Sequence, residues 1–194
     1  MTIQSMAARG GSEKRVTVFC GSSVPRGRSA ERICEATASL GKEMARRGIE
    51  VVFGGGDVGL MGLLARSAHE AGGKVLGVIP RALRAKEVAG ESVQASREIV
   101  TDTMHERKAA MAALAHGFIA LPGGFGTFEE LMEAATWTQL GIQDKVIGVL
   151  NVDGYYDPLS KQLEAAVAAG FIRPAAAKII VFDSDPLKLL DKVL

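Results

Sequence analysis

The chain has 194 residues, of which 47% are hydrophobic and 23% charged, and its formal net charge is +1. That balance offers no general attraction to nucleic acid or to a membrane surface, and no apolar run approaches the ~18 residues of a membrane span. The length suits one soluble globular domain with a substantial core.

Met1 to Arg15 is polar, mixed in charge and without the apolar segment of a signal peptide, so residues 1–15 read as a disordered tail before a single domain at 16–194. Val16 to Cys20 reads as a first strand that ends in Gly21-Ser22-Ser23. Ser29 to Arg47 is helical in pattern and Gly48 closes it. Glu50 to Phe53 forms a second strand running into Gly54-Gly55-Gly56-Asp57-Val58-Gly59, and Leu60 to Ala71 is helical again. Lys74 to Ile79 is a third strand, broken at Pro80. Arg81 to Ser96 reads as irregular or partly helical, and Glu98 to Thr101 as a short fourth strand.

Thr103 and Glu106 have the spacing of a capping box and open a helix over Met104 to Ala115. Gly117 to Leu121 is an apolar run of buried-strand type, stopped by Pro122. A long helix is expected from Thr127, where Thr127 and Glu130 again have capping-box spacing. Val146 to Leu150 is a strand, Tyr155 to Ala169 a helix, Lys178 to Phe182 a last strand, and a closing helix starts at Asp185. Strands alternating with helices predict an α/β fold, a Rossmann-like doubly wound parallel sheet with helices on both faces.

Cys20 and Cys34, the two cysteines, read as small buried hydrophobes in a reducing, cytoplasmic setting. His69, His105 and His116 match no metal-ligand spacing, so no metal and no cofactor are expected.

In doubly wound sheets ligands bind outside the carboxyl ends of the strands. Two glycine-rich loops fall there, and the second, Pro122-Gly123-Gly124-Phe125-Gly126-Thr127-Phe128-Glu129-Glu130, carries the stronger signal. Glycine lets backbone N–H groups face a ligand without an intervening Cβ. The following helix start adds unpaired donors and partial positive charge. An anion cradle with Glu129 and Glu130 beside it suggests a nucleotide or sugar phosphate held for chemistry; the alternative is a capping box and nothing more. Gly54-x-Gly56-x-x-Gly59 matches the dinucleotide fingerprint by letter, but it follows the second strand, and the next strand ends Val78-Ile79-Pro80-Arg81 without the acid that would bind ribose. No Gly-Lys-Ser/Thr ending marks a triphosphate loop either, which leaves Gly54, Gly55 and Gly56 as a simpler anion-binding or close-packing turn.

Arg107 falls on one helical stripe with Met104, Met111 and Leu114. A guanidinium in an apolar stripe is costly unless it meets an anion, and its planar fork suits phosphate or carboxylate; the alternative is an arginine that snorkels to solvent or pairs with a structural carboxylate. Lys108 points about 100° away. Arg81, Arg84, Lys86 and Glu87 read as a solvated charged loop, and Met132 and Trp137 as core or interface residues.

Pro122-Gly123-Gly124-x-Gly126-Thr127-x-x-Glu130, preceded by Met104-His105-Glu106-Arg107-Lys108, resembles the Lonely Guy family of cytokinin riboside 5′-monophosphate phosphoribohydrolases, often labelled lysine decarboxylases. The Gly54 to Gly62 loop and Asn151-Val152-Asp153-Gly154-Tyr155-Tyr156 are similar to the family too, and the likeness runs from about Val16 to Phe182. The resemblance implies hydrolysis of the N-glycosidic bond of an N6-substituted AMP to free base and ribose 5-phosphate, by a homodimer with sites near the subunit interface. It assigns the chemistry to Arg107 and Glu130, and substrate contacts to Glu87, Lys108, the run Gly123 to Glu129, and Thr136. A general AMP nucleosidase and a non-catalytic nucleotide-binding module are the alternatives; phosphate binding alone needs no acid at Glu130. A lysine decarboxylase would hold pyridoxal phosphate on a lysine, and the central loop has none.

Overall fold

The computed structural model describes residues 14–87 and 96–194, and of residues 85–87 the backbone alone. Its strands are β1 (Arg15–Phe19), β2 (Glu50–Phe53), β3 (Val75–Pro80), β4 (Arg97–Thr101), β5 (Gly117–Ala120), β6 (Ile147–Leu150) and β7 (Ile180–Asp183). They form one parallel sheet in the order β4-β3-β2-β1-β5-β6-β7. The helices are α1 (Ala30–Arg46), α2 (Gly59–Glu70), α3 (Arg81–Glu87), α4 (Met104–Leu114), α5 (Phe125–Gln139), α6 (Asp157–Ala168) and α7 (Pro186–Val193).

Alternation along the strands divides the core into two layers. Val16, Val18, Val51, Phe53 and Ile119 face one side with Leu40 and Met44 of α1, Leu64 of α2 and Leu189 of α7. Phe19, Val52 and Phe118 face the other with Met111 of α4 and Leu131 of α5. Sheets covered on both faces bury their strands throughout, which is why these strands are short apolar runs. α1 packs through Ile33, Thr37, Leu40 and Met44, one stripe at helical period. Among the described residues no helix is long and apolar enough to cross a membrane.

The strand order reverses at β1: the chain steps outward to β4, then returns to the far side of β1 as β5. Crossovers on the two sides of that point leave in opposite directions, and a crevice opens above the carboxyl ends of β1 and β5.

Several boundaries differ from the sequence reading. β1 begins at Arg15, one residue inside the expected tail, and residues 1–13 of that tail lie outside the described residues. Within Arg81 to Ser96, the first seven residues are helix α3 and residues 88–95 lie outside the description. α6 starts at Asp157 and not Tyr155, and β7 begins at Ile180 because Ala176–Ile179 is a 3-10 turn. The Thr103 cap is present: its hydroxyl accepts from Glu106 N at 3.1 Å, while the Glu106 carboxylate reaches Asp102 N at 2.9 Å. The capping-box spacing of Thr127 and Glu130 does not mark the start of its helix. α5 starts two residues before Thr127, with Gly124 as N-cap and no side-chain cap, because the turn after Pro122 enters the helix directly.

Below the sheet, opposite the crevice, a buried charge cluster ties the strand starts. Arg15 Nε donates to Glu50 Oε2 at 2.7 Å and Arg97 Nη2 to Glu50 Oε1 at 2.5 Å, with the Glu50 side chain wholly enclosed. Removing one partner strands the other without its counter-charge in a low dielectric. Glu50→Gln is expected to lower unfolding free energy by about 3 kcal/mol in urea denaturation with an unchanged slope. A loss under ~1 kcal/mol would put the cluster among inconsequential surface pairs.

Candidate active site

The crevice at the reversal point is a cleft of about 700 Å³. One wall is the loop after β1, from Gly21 to Ser29; the other is the turn from Pro122 into α5. Arg107 of α4 and Glu130 of α5 are its most enclosed charges, with side chains 8% and 11% exposed.

Arg107 is fixed from three sides. Its Nη2 donates to Gly54 O at 3.2 Å and lies 4.0 Å from Glu130 Oε1, and its Nη1 lies 3.8 Å from Met104 Sδ. Its Nε is buried without a hydrogen-bond partner. A methyl group on Gly54 would overlap Nη2, so glycine stands there to leave room for the guanidinium. Beside this pair Cys20 is buried, and burial first, then the charge of Glu130, push its thiol well above the usual range against a smaller opposing pull from Arg107. It stays a neutral thiol and is no nucleophile.

In the turn from β5 into α5 each carbonyl from Leu121 to Gly124 is engaged. Leu121 O accepts from Tyr156 Oη at 2.7 Å, Pro122 O from Gly21 N at 3.2 Å, Gly123 O from Tyr155 Oη at 2.6 Å and Gly124 O from Phe128 N at 3.0 Å. A methyl group on Gly123 would overlap the Thr127 hydroxyl. Gly124 and Gly126 differ, since a Cβ there would meet open space and neither residue has a positive φ. Neither strain nor packing calls for glycine at these two positions; their bareness leaves the first amides of α5 open to the cleft. Such a helix start favours an anion through its unpaired N–H groups and its dipole.

Gly54, Arg107, Gly123, Gly124, Phe125, Gly126, Thr127, Glu129 and Glu130 therefore all line the cleft. Phe125 is 93% exposed at its mouth, whereas Thr127 is buried. Glu129 and Glu130, adjacent in sequence, take different partners. Lys108 donates to the carboxylates of Glu129 and Glu133 and so clamps α4 to α5 at the rim, outside the cleft lining. Burial pulls the Lys108 ammonium down, but the two carboxylates outweigh it and hold it above its ordinary range.

Gly55 and Gly56 are buried and do not line the cleft, so only Gly54 of that loop reaches it. Thr136 lies three turns along α5, donates to Met132 O at 2.7 Å and borders a groove against α6 instead. Glu87 ends α3, and its side chain lies outside the described residues. The cleft also contains Arg26, Arg28, Ser29 and Tyr155, which sequence reasoning did not single out as site residues. Nothing in local spacing marks the two arginines, and Tyr155 stands 32 residues from the glycine it holds.

The family model described as "Possible lysine decarboxylase" matches residues 61–193. The chain is 49% identical over 180 residues to a protein of Oryza sativa subsp. japonica named probable cytokinin riboside 5′-monophosphate phosphoribohydrolase LOGL2, covering 93% of this chain and 72% of that one. It is 50% identical over 168 residues to the cytokinin riboside 5′-monophosphate phosphoribohydrolase LOG of the same organism, covering 87% and 67%. With LOG5 of Arabidopsis thaliana, which carries the same enzyme name, it shares 49% identity over 182 residues, covering 93% and 77%. Among solved structures, the molybdenum cofactor binding protein of Rippkaea orientalis superposes with a TM-score of 0.67 at 20% identity, over 93% of this chain and 94% of that one. That likeness concerns the fold alone. Given relatives at about half identity over most of its length, and a motif seated at the head of the sheet, the chain belongs to the cytokinin riboside 5′-monophosphate phosphoribohydrolase family.

Proposed function

We propose that this protein hydrolyses the N-glycosidic bond of cytokinin riboside 5′-monophosphates, releasing the free N6-substituted base and ribose 5-phosphate. The observation that carries the proposal is the enclosed Arg107–Glu130 pair, 4.0 Å apart, beside the uncapped start of α5. Its family relatives bear the name of that reaction.

In this reading the phosphate sits on the amides of Gly124 to Thr127 and fixes the ribose against Glu130. Breaking the bond at C1′ leaves positive charge on the sugar ring, as in glycoside hydrolysis. The departing base keeps the bonding electron pair and takes up a proton from solvent, while water delivers hydroxide to C1′ and its own proton, taken by Glu130, returns to solvent. Glu130 stabilises the ring charge and accepts the proton from water. Arg107, held by Gly54 O, orients the Glu130 carboxylate. Decarboxylation through a lysine-bound cofactor has less support, because no lysine lines the cleft among the described residues and Lys108 is engaged by two carboxylates.

The active species in this reading is a cytoplasmic homodimer, with two free cysteines suited to a reducing compartment. α6 has no fully buried residue, and Leu163, Val167 and Ile172 border an apolar groove with Met132 and Thr136 of α5. A second copy covers this face, which accounts for Thr136 lying outside its own cleft. Sedimentation is expected to return two copies, and Val167→Asp one; a monomeric parent protein would overturn the dimer.

Glu130→Gln is expected to lower base release at least ~10³-fold while the variant still folds cooperatively, since Gln keeps the size and shape of the side chain and removes its charge. Near-normal turnover of isopentenyl-AMP and AMP by this variant would remove Glu130 from the chemistry. Three charge-assisted bonds to phosphate, at the low end of ~1.5 kcal/mol each, contribute about 4.5 kcal/mol, or ~10³ in catalytic efficiency. Isopentenyl-AMP is therefore expected to exceed isopentenyladenosine in kcat/KM by at least hundreds-fold; equal efficiencies would show that the α5 start is not the phosphate grip.

A further inference from the structure

The turn after β6, Asn151 to Tyr156, lies outside both glycine loops, yet it contacts both walls of the cleft. Tyr155 Oη donates to Gly123 O at 2.6 Å, on the α5 side. On the α1 side, Arg32 Nη1 donates to Asp153 Oδ1 at 2.6 Å. The Arg32 bond first, and then a bond from Ser29 at the foot of the cleft loop, hold the Asp153 carboxyl below its usual range. Asp153 is the one non-glycine residue with positive φ among the described residues, at φ 51° and ψ 29°. Such a backbone is sparsely populated by side-chain-bearing residues, and it persists where surroundings over-determine it. Here they do so: Asn151 Oδ1 accepts from Tyr156 N at 2.7 Å, Asn151 Nδ2 donates to Asp157 Oδ1 at 2.7 Å, and Tyr155 and Tyr156 meet edge to face with ring centroids 4.9 Å apart. The hydroxyl of Tyr155 is therefore presented from a rigid turn.

What that hydroxyl does follows from peptide planarity. The Gly123–Gly124 peptide is trans, so its C=O and N–H point in opposite directions. Holding Gly123 O at the Tyr155 hydroxyl aims the Gly124 N–H to the opposite side of the peptide, away from Tyr155. Two glycines flank that peptide, and glycine opposes its rotation least of all residues. The neighbouring carbonyls are anchored by Gly21 N, Tyr156 Oη and the helix itself. The Gly123 carbonyl is anchored by Tyr155.

We propose that Tyr155 is a positioning residue for the substrate phosphate: by gripping Gly123 O from a turn locked at Asp153, it keeps the Gly124 amide pointed at the phosphate. Tyr155 neither touches the reacting bond nor donates to the phosphate; it acts through the peptide. The inference rests on the phosphate site assigned above.

Tyr155→Phe tests it, since the change removes one hydroxyl from a side chain 42% exposed and leaves the ring packing intact. Turnover of isopentenyl-AMP and isopentenyladenosine is compared in wild type and variant, with ribose 5-phosphate binding measured by calorimetry. The ratio of kcat/KM, monophosphate over riboside, is expected to fall about tenfold, and the Kd for ribose 5-phosphate to rise about tenfold, the scale of one hydrogen bond to a charged group. A merely structural role would lower both substrates in step and leave the ratio unmoved, which overturns the proposal. A wild type that does not discriminate between the two substrates refutes the phosphate site itself, and the role of Tyr155 falls with it. Discrimination retained in full by the variant refutes Tyr155 alone.

Discussion

A guanidinium enclosed at the head of the sheet has to be met by oxygen atoms, and that requirement on Arg107 organises the site around it. Burying such a charge is costly unless partners replace its water. Gly54 supplies a carbonyl and, by lacking a Cβ, the room for the planar head. Glu130 supplies the opposing charge from α5, across 4.0 Å. The separation matters as much as the pairing. At the other end of the sheet Glu50 is bonded at both oxygens, at 2.7 and 2.5 Å, and faces no cleft. That cluster is saturated and structural. Arg107 and Glu130 are spaced more loosely and border a cleft, with Arg107 Nε unpartnered. A buried donor without a protein partner beside a cleft is a place where a ligand oxygen can bind.

The second wall follows a complementary logic. Four successive carbonyls, from Leu121 to Gly124, are occupied, and the first residues of α5 line the cleft with glycine at the N-cap. Donors held in place before the ligand arrives need no reorganisation when charge develops. Glycine at 124 and 126 keeps that surface bare, while glycine at 123 answers to the closeness of Thr127. One motif thus contains glycines of two kinds, those that fit the protein to itself and those that leave room for something else. Lys108 adds a brace between α4 and α5 through Glu129 and Glu133, tying the helix that carries Arg107 to the helix that carries Glu130.

The parts of this architecture written in local chemistry were open to reading from the chain. Alternation of strand and helix patterns gives the doubly wound sheet, because side-chain periods of 2.0 and 3.6 are properties of the backbone. Arg107 betrays itself by interrupting an apolar stripe, and Pro122 to Thr127 by glycines where a strand meets a helix. The cap at Thr103 is likewise a matter of three residues.

Other features depend on which segments the fold brings side by side. The capping-box spacing at Thr127 and Glu130 leaves a helix cap as the alternative to a site, but the turn enters the helix two residues sooner, with Gly124 as its N-cap. Gly54-x-Gly56 reads as an anion-binding or close-packing turn; packing sends Gly55 and Gly56 inward and keeps Gly54 for Arg107, 53 residues away. Adjacent glutamates part company because a helix turns about 100° per residue, and only the position of α4 decides that Lys108 takes one and Arg107 the other. Tyr155 and Gly123 are joined across the crossover from β5 to β6. Sequence alone thus determined the periodic elements, the fold class and the chemical character of the motif, since each rests on neighbours a few residues apart. Which oxygen answers which donor was decided by tertiary structure alone, because strand order and helix packing set those distances and no spacing along the chain encodes them.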